Sequence, residues 1–176
     1  MPTAVVNGVS LYYERTGTGD AVIFLHGLGS STQDWAPQIE FFKDRYSCIA
    51  IDMRGHGQSE KAPGPYSIRM FAADVAAVMS HLGIAVAHLV GVSMGGMIAF
   101  QMAVDAPGQV RSMVIINAGP EVPTRTLKEK WAVWQRLILF RVFSMRKIGE
   151  TIGGRLFPEE DQAARREAFT ERWAAN

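Results

Sequence analysis

Apolar positions along the chain follow two rhythms. Short, nearly unbroken apolar runs occur at Ala21–Leu25, Cys48–Ile51, His88–Val92 and Val110–Ile116. Runs of that length suit strands covered on both faces, and they predict a parallel sheet buried between helices. Between them the spacing lengthens to three and four residues. Ser67 is placed to cap a helix in which Phe71, Val75, Val78, Met79 and Leu82 recur, and Gly83 follows as its stop. A second helix is predicted from Met94 to about Val104, closed by Pro107-Gly108. Near the N-terminus, Val5-Val6 and Val9–Tyr13 flank Asn7-Gly8, which supplies the two positive-φ positions of a tight hairpin.

After Gly119-Pro120 the strand pattern ceases. Residues 126–147 and 159–174 carry helical patterns, joined by a Gly149–Pro158 stretch that contains Gly153-Gly154. Pro120 and Pro123 mark a boundary. The expected class is therefore α/β. Residues 1–119 form a mostly parallel sheet with an N-terminal antiparallel hairpin, and residues 120–176 form a helical appendage. Trp131, Trp134, Leu137, Ile138 and Val142 recur at helical spacing in that appendage. Such a stripe serves either packing or an apolar ligand pocket.

Composition narrows the function classes. With a net charge of +1, the chain has no global field to attract nucleic acid or an anionic membrane, and neither is expected as a partner. The charge is uneven: residues 1–119 carry 7 Lys/Arg against 9 Asp/Glu, and residues 120–176 carry 11 against 8. A mildly basic tail of that size reads as solvated helix faces. No basic region followed by a long apolar run opens the chain, so no secretory leader is read there. No stretch reaches the length of a membrane span, since Leu137–Phe140 is bracketed by Arg136 and Arg141. The single cysteine, Cys48, lies in an apolar run and reads as a buried thiol; it excludes an internal disulfide and leaves no cluster for zinc. The cytoplasm is the expected compartment.

Two glycine-rich elements carry the chemistry. Gly91-Val92-Ser93-Met94-Gly95 matches G-x-S-x-G, directly after a predicted strand and directly before a predicted helix. A serine on so sharp a turn stands clear of the sheet edge, while larger side chains at Gly91 and Gly95 would collide with neighbouring backbone. The helix start also aims unpaired N–H groups at the point where negative charge would develop. The second element, His26-Gly27-Leu28-Gly29-Ser30-Ser31, ends the Ala21–Leu25 strand. Its backbone amides can face the same point as the amide of Met94, as an oxyanion hole requires.

HGLGSS, then DMRGHGQS at Asp52–Ser59, then GVSMGG at Gly91–Gly96 resemble the α/β-hydrolase superfamily in order and approximate spacing. The similarity runs from about residue 5 to 119, and more loosely through a helical cap beyond. It is strongest to small soluble esterases, enol-lactonases, cofactor-free haloperoxidases and C–C bond hydrolases. The resemblance implies a partial α/β-hydrolase fold with an incomplete cap, Ser93 as nucleophile, and the amides of Leu28 and Met94 as oxyanion hole. His26, Gly27, Gly91 and Gly95 would support them. It further implies a small ester or lactone substrate, and neither metal nor organic cofactor. Serine at the elbow argues against haloalkane dehalogenases and epoxide hydrolases, which place aspartate there.

The sequence departs from the family at the rest of the triad, where an acid and then a histidine follow the serine. No histidine follows Ser93; the four are His26, His56, His81 and His88. His56 lies in the DMRGHGQS loop, where the family has a loop-shaping residue. His81 is expected near a helix end and His88 at a strand start. Asn117 stands where some members place the acid, and Glu159, Glu160 and Asp161 read as a helix first turn. Two further βα units with the rest of a cap would take on the order of 60–100 residues. The expectation is therefore a truncated chain, inactive by itself. Its last strand would be an exposed sheet edge, covered by dimerisation or by a remaining C-terminal piece. Two other readings stay open: a C–C hydrolase or perhydrolase using the same serine, and a non-catalytic binding module.

Overall fold

In the computed structural model, which describes residues 2–120 and 126–175, the chain divides into two compact units, Met1–Pro120 and Glu121–Asn176. The first unit is a six-stranded sheet. Its strands are β1 (Thr3–Val6), β2 (Val9–Thr16), β3 (Ala21–Leu25), β4 (Ser47–Ile51), β5 (Ala87–Val92) and β6 (Val110–Ile116), in the spatial order β1-β2-β4-β3-β5-β6. The pairs β1/β2 and β2/β4 are antiparallel; β4/β3, β3/β5 and β5/β6 are parallel. This is the mostly parallel sheet with an antiparallel hairpin that the apolar runs predicted. Asn7 (φ 50°) and Gly8 (φ 75°) form the hairpin turn.

Alternation within the parallel strands sends side chains to two cores. Ile23, Leu25, Ile49, Ile51 and Leu89 join α2 (Ile68–His81) and α3 (Met94–Asp105) on one face. Helix α2 presents Phe71, Val75, Val78 and Met79 to that core, and its cap is the predicted one, Ser67 accepting from the Met70 amide at 3.1 Å. On the other face, Val22, Phe24, Cys48 and Ala50 meet Trp35 and the partly buried Ile39 and Phe42 of α1 (Ala36–Phe42). The sequence pattern missed α1, because its seven residues bury no side chain fully and so carry no strong periodicity.

The second unit is helical and corrects two expectations. Residues 126–147 are not one helix: α4 (Leu127–Val142) stops, and α5 (Met145–Leu156) starts afresh with Ser144 as its cap, accepting from the Lys147 amide. The Gly149–Pro158 stretch, read as a joining segment, is largely α5 itself. Its glycines are packing surface, because a β-carbon on Gly149 would lie 2.8 Å from Cβ of Trp173 on α6 (Ala163–Ala174). Close helix approach offsets the propensity cost of glycine in a helix interior. Trp131, Trp134, Ile138 and Val142 of α4 are exposed rather than packed. The Leu137 side chain of that stripe lies outside the described residues, as does Pro123.

Candidate active site

Strand β5 ends at Val92 and α3 begins at Met94, so Ser93 alone makes the turn between them. Its backbone is left-handed, φ 52° and ψ −113°, a conformation that an L side chain holds only where surroundings impose it. Two hydrogen bonds impose it here. The Ser93 amide donates to the Ile116 carbonyl at 3.0 Å, and the Met97 amide donates to the Ser93 carbonyl at 3.1 Å. Ser93 is exposed, although Gly91, Met94, Gly95 and Gly96 around it are buried. The glycine requirement is steric: a β-carbon at Gly91 would overlap the Gly95 carbonyl, and one at Gly95 would overlap the carbonyl of Leu25 at the end of β3.

The oxyanion-loop candidate lies beside this elbow. A β-carbon on Gly27 would stand 3.7 Å from Cβ of Ser93, in ordinary contact. Among the described residues no acceptor takes the backbone amide of Leu28 or of Met94. Met94 is the first residue of α3, where helix amides have no partner within the helix. The structure therefore places Gly27 beside Ser93 and the His26 carbonyl beside Gly95, with Gly91 packed against Gly95 within the turn; Met94 follows Ser93 in the chain and Leu28 follows Gly27.

His26 is fully buried. Its Nε2 accepts from the Met53 amide at 3.0 Å, so the proton sits on Nδ1, which donates to the Gly27 carbonyl at 2.7 Å. Burial, with the neighbouring His56 ring 5.0 Å away, lowers its pKa to about 3. A ring with both nitrogens engaged and no tendency to protonate is a clamp, not a base. His56 is also buried and held below its usual range by desolvation, with Nδ1 against the Arg54 carbonyl at 3.1 Å. His81 meets the Tyr13 ring edge-on, and Nδ1 of His88 lies 2.7 Å from Ser112 Oγ on β6. None of the four forms a hydrogen bond with Ser93. Asn117, just past β6, holds a left-handed φ of 50°.

One supporting residue escaped the sequence reading although its motif had been noted. The Asp52 carboxylate accepts from the Thr32 amide at 2.6 Å and the Gln58 amide at 2.8 Å, tying the His26–Ser31 loop to the loop that follows β4. Desolvation pushes the Asp52 carboxyl above its ordinary range, against the pull of those amides. Nearby, Arg54 and Asp74 form a buried ion pair through two 2.6 Å contacts, and Asn7 donates to the same aspartate at 3.0 Å. The signal was DMRGHGQS itself, an acidic and a basic residue in a segment otherwise destined for burial. Among the described residues no group of three or more His, Cys, Asp or Glu is placed to hold a metal ion. Nor is any helix there long and apolar enough to cross a membrane.

Residues 20–147 match the family defined by the alpha/beta hydrolase fold. The 3-oxoadipate enol-lactonase 2 of Acinetobacter baylyi is 33% identical over 158 residues, which are 88% of this chain and 57% of that protein. Among solved structures, the enol-lactonase from Burkholderia xenovorans superposes with a TM-score of 0.86 at 26% identity, over 98% of this chain and 67% of that one. An N-acyl homoserine lactone degrading enzyme gives a TM-score of 0.80 at 30% identity, over 98% of this chain and 65% of that one. The chain spans 31% to 57% of the length of the first three curated relatives it matches. Sheet order, elbow and family match agree: the chain belongs to the α/β-hydrolase fold family, as do the two enol-lactonases and the lactone-degrading enzyme it resembles.

Proposed function

We propose that this chain carries the nucleophile and the oxyanion-binding amides of a serine hydrolase acting on a small carboxylic ester or lactone. The observation that carries the reading is Ser93, an exposed hydroxyl on a left-handed turn between buried neighbours, at a helix start and against Gly27. In the reaction, Ser93 Oγ adds to the substrate carbonyl and gives its proton to a general base. The amides of Leu28 and Met94 hold the resulting oxyanion. Collapse expels the alcohol, which takes the proton back, and water then releases the acid from Ser93 by the same sequence. The base is a histidine other than these four, since each is engaged elsewhere or forms no hydrogen bond with Ser93. The lactone-cleaving relatives support a lactone or ester as substrate class.

The test uses the protein encoded by the full reading frame that contains these residues, assayed side by side on esters, lactones, C–C ring-cleavage products and peracid formation. Ser93→Ala should lower ester or lactone turnover by roughly 10⁴–10⁶-fold at unchanged ligand affinity. Met94→Pro removes one amide and should cost about 2.7–4 kcal/mol of transition-state stabilisation, whereas Met94→Leu should be mild. Equal turnover in wild type and Ser93→Ala sinks the hydrolase reading. Residues 1–176 alone should resist fluorophosphonate labelling; stoichiometric labelling of Ser93 would return His56 as the first base to test.

A further inference from the structure

Helix α5 has two unlike faces. One, carrying Gly149 and Gly153, is closed against α6 by Trp173 and Phe169. The other carries Lys147, Ile148, Ile152 and Arg155 at helical spacing and borders a groove of about 470 Å³, completed by Leu139 and Phe143 from the end of α4. That volume lies within the usual range for small-ligand sites. The floor is apolar, with Ile148 buried and Ile152 half-buried. The two cations on this face differ in their engagement. Lys147 is held by Glu150 at 3.1 Å, one turn along the same helix. Arg155 is exposed, and among the described residues nothing pairs with it.

We propose that this groove binds a free aliphatic monocarboxylate, its carboxylate on Arg155 and its chain along Ile152 and Ile148 toward Leu139 and Phe143. Charge complementarity selects the occupant. A guanidinium at the end of an apolar groove, with no partner among the described residues, matches a carboxylate in two-point geometry, which an alcohol or amine does not offer. From Arg155 to Ile148 the helix rises about 10 Å, the reach of a chain of roughly eight carbons. Lys147 adds a weaker field, since Glu150 already neutralises it. The site rests on residues of the second unit alone and is independent of the role assigned to Ser93.

The experiment is calorimetric titration of the 176-residue chain with octanoate, octanol and octylamine, each up to about 1 mM, with circular dichroism as the check on folding. Octanoate should bind saturably, and octanol and octylamine at least tenfold more weakly. Arg155→Gln should weaken octanoate tenfold or more, Lys147→Gln by threefold or less, and Ile152→Trp, which fills the groove, should abolish binding. Salt should weaken octanoate but not octanol. Octanol binding as tightly as octanoate overturns the proposal, as does octanoate binding that is indifferent to Arg155→Gln. Absence of saturable octanoate binding overturns it as well.

Discussion

Leu89 on β5 and Val114 on β6 lie on neighbouring, hydrogen-bonded strands of equal apolar character, yet Leu89 has no solvent exposure and Val114 is 54% exposed. They point to opposite faces of the sheet. On the first face α2 and α3 close over the strands, and Val110, Met113 and Ile115 of β6 reach the same core. On the second, α1 and Trp35 cover β3 and β4, leaving Ser112, Val114 and Ile116 uncovered around a groove of about 300 Å³. The charged pairs differ in the same way. Arg54–Asp74 is buried, with side chains 10% and 0% exposed, whereas Arg111–Asp20 at the β6 end is open at 53% and 62%. Strand composition thus announces that both faces are to be buried, while the covering helices decide which one is.

The largest expected contrast comes from the ion pairs. Asp74→Ala strands the Arg54 guanidinium without its partner and should cost about 3–5 kcal/mol in chemical denaturation. Asp20→Ala should cost about 1 kcal/mol or less, and the loss should vanish in high salt. Equal costs would mean that the two sides of the sheet are equally enclosed. Next, Leu89→Ala should destabilise by about 2–5 kcal/mol, and Val114→Ala by roughly 0.5 kcal/mol or less, read from the same denaturation curves.

Acid sharpens the contrast further. His26 titrates near 3 when folded, and near 6.5 when unfolded. Between those values the unfolded chain binds a proton that the native chain refuses, so this contribution is full above pH 6.5 and drains away as pH falls toward 3. Denaturation midpoints should fall from pH 7 to pH 4.5, and the fall should be shallower in His26→Asn. One effect is a gain. Ser93→Gly relieves the left-handed backbone and should raise stability by about 1 kcal/mol, seen as a higher thermal midpoint.

Much of this was written plainly in the sequence. Unbroken apolar runs located four strands of the sheet, Asn7-Gly8 located the hairpin, and G-x-S-x-G located the turn at Ser93, because each depends on residues adjacent in the chain. What escaped was set by partners distant in sequence. Helix α1 is too short to show a period. Gly149 and Gly153 read as breakers because the α6 side chains that need their absent β-carbons come about 20 residues later. His26 reads from its motif as a supporting residue, but how it supports the loop depends on the Met53 amide, 27 positions on. Asp52 likewise declares its role through Thr32, 20 residues earlier.

The strand order carries a consequence for synthesis on the ribosome. Although β3 follows β2 in the chain, β2 pairs with β4, and the tip of the first hairpin is tied by Asn7 to Asp74 on α2. A growing chain that has released only β1, β2 and β3 holds strands whose sheet partners are still unmade. Arg54 emerges twenty positions ahead of the carboxylate that neutralises it. The amino-terminal third must therefore wait, exposed to chaperones, until α2 has left the tunnel. A translational pause late enough for α2 to have cleared the tunnel should help this chain to its native state, and a pause that leaves Asp74 inside it should promote aggregation.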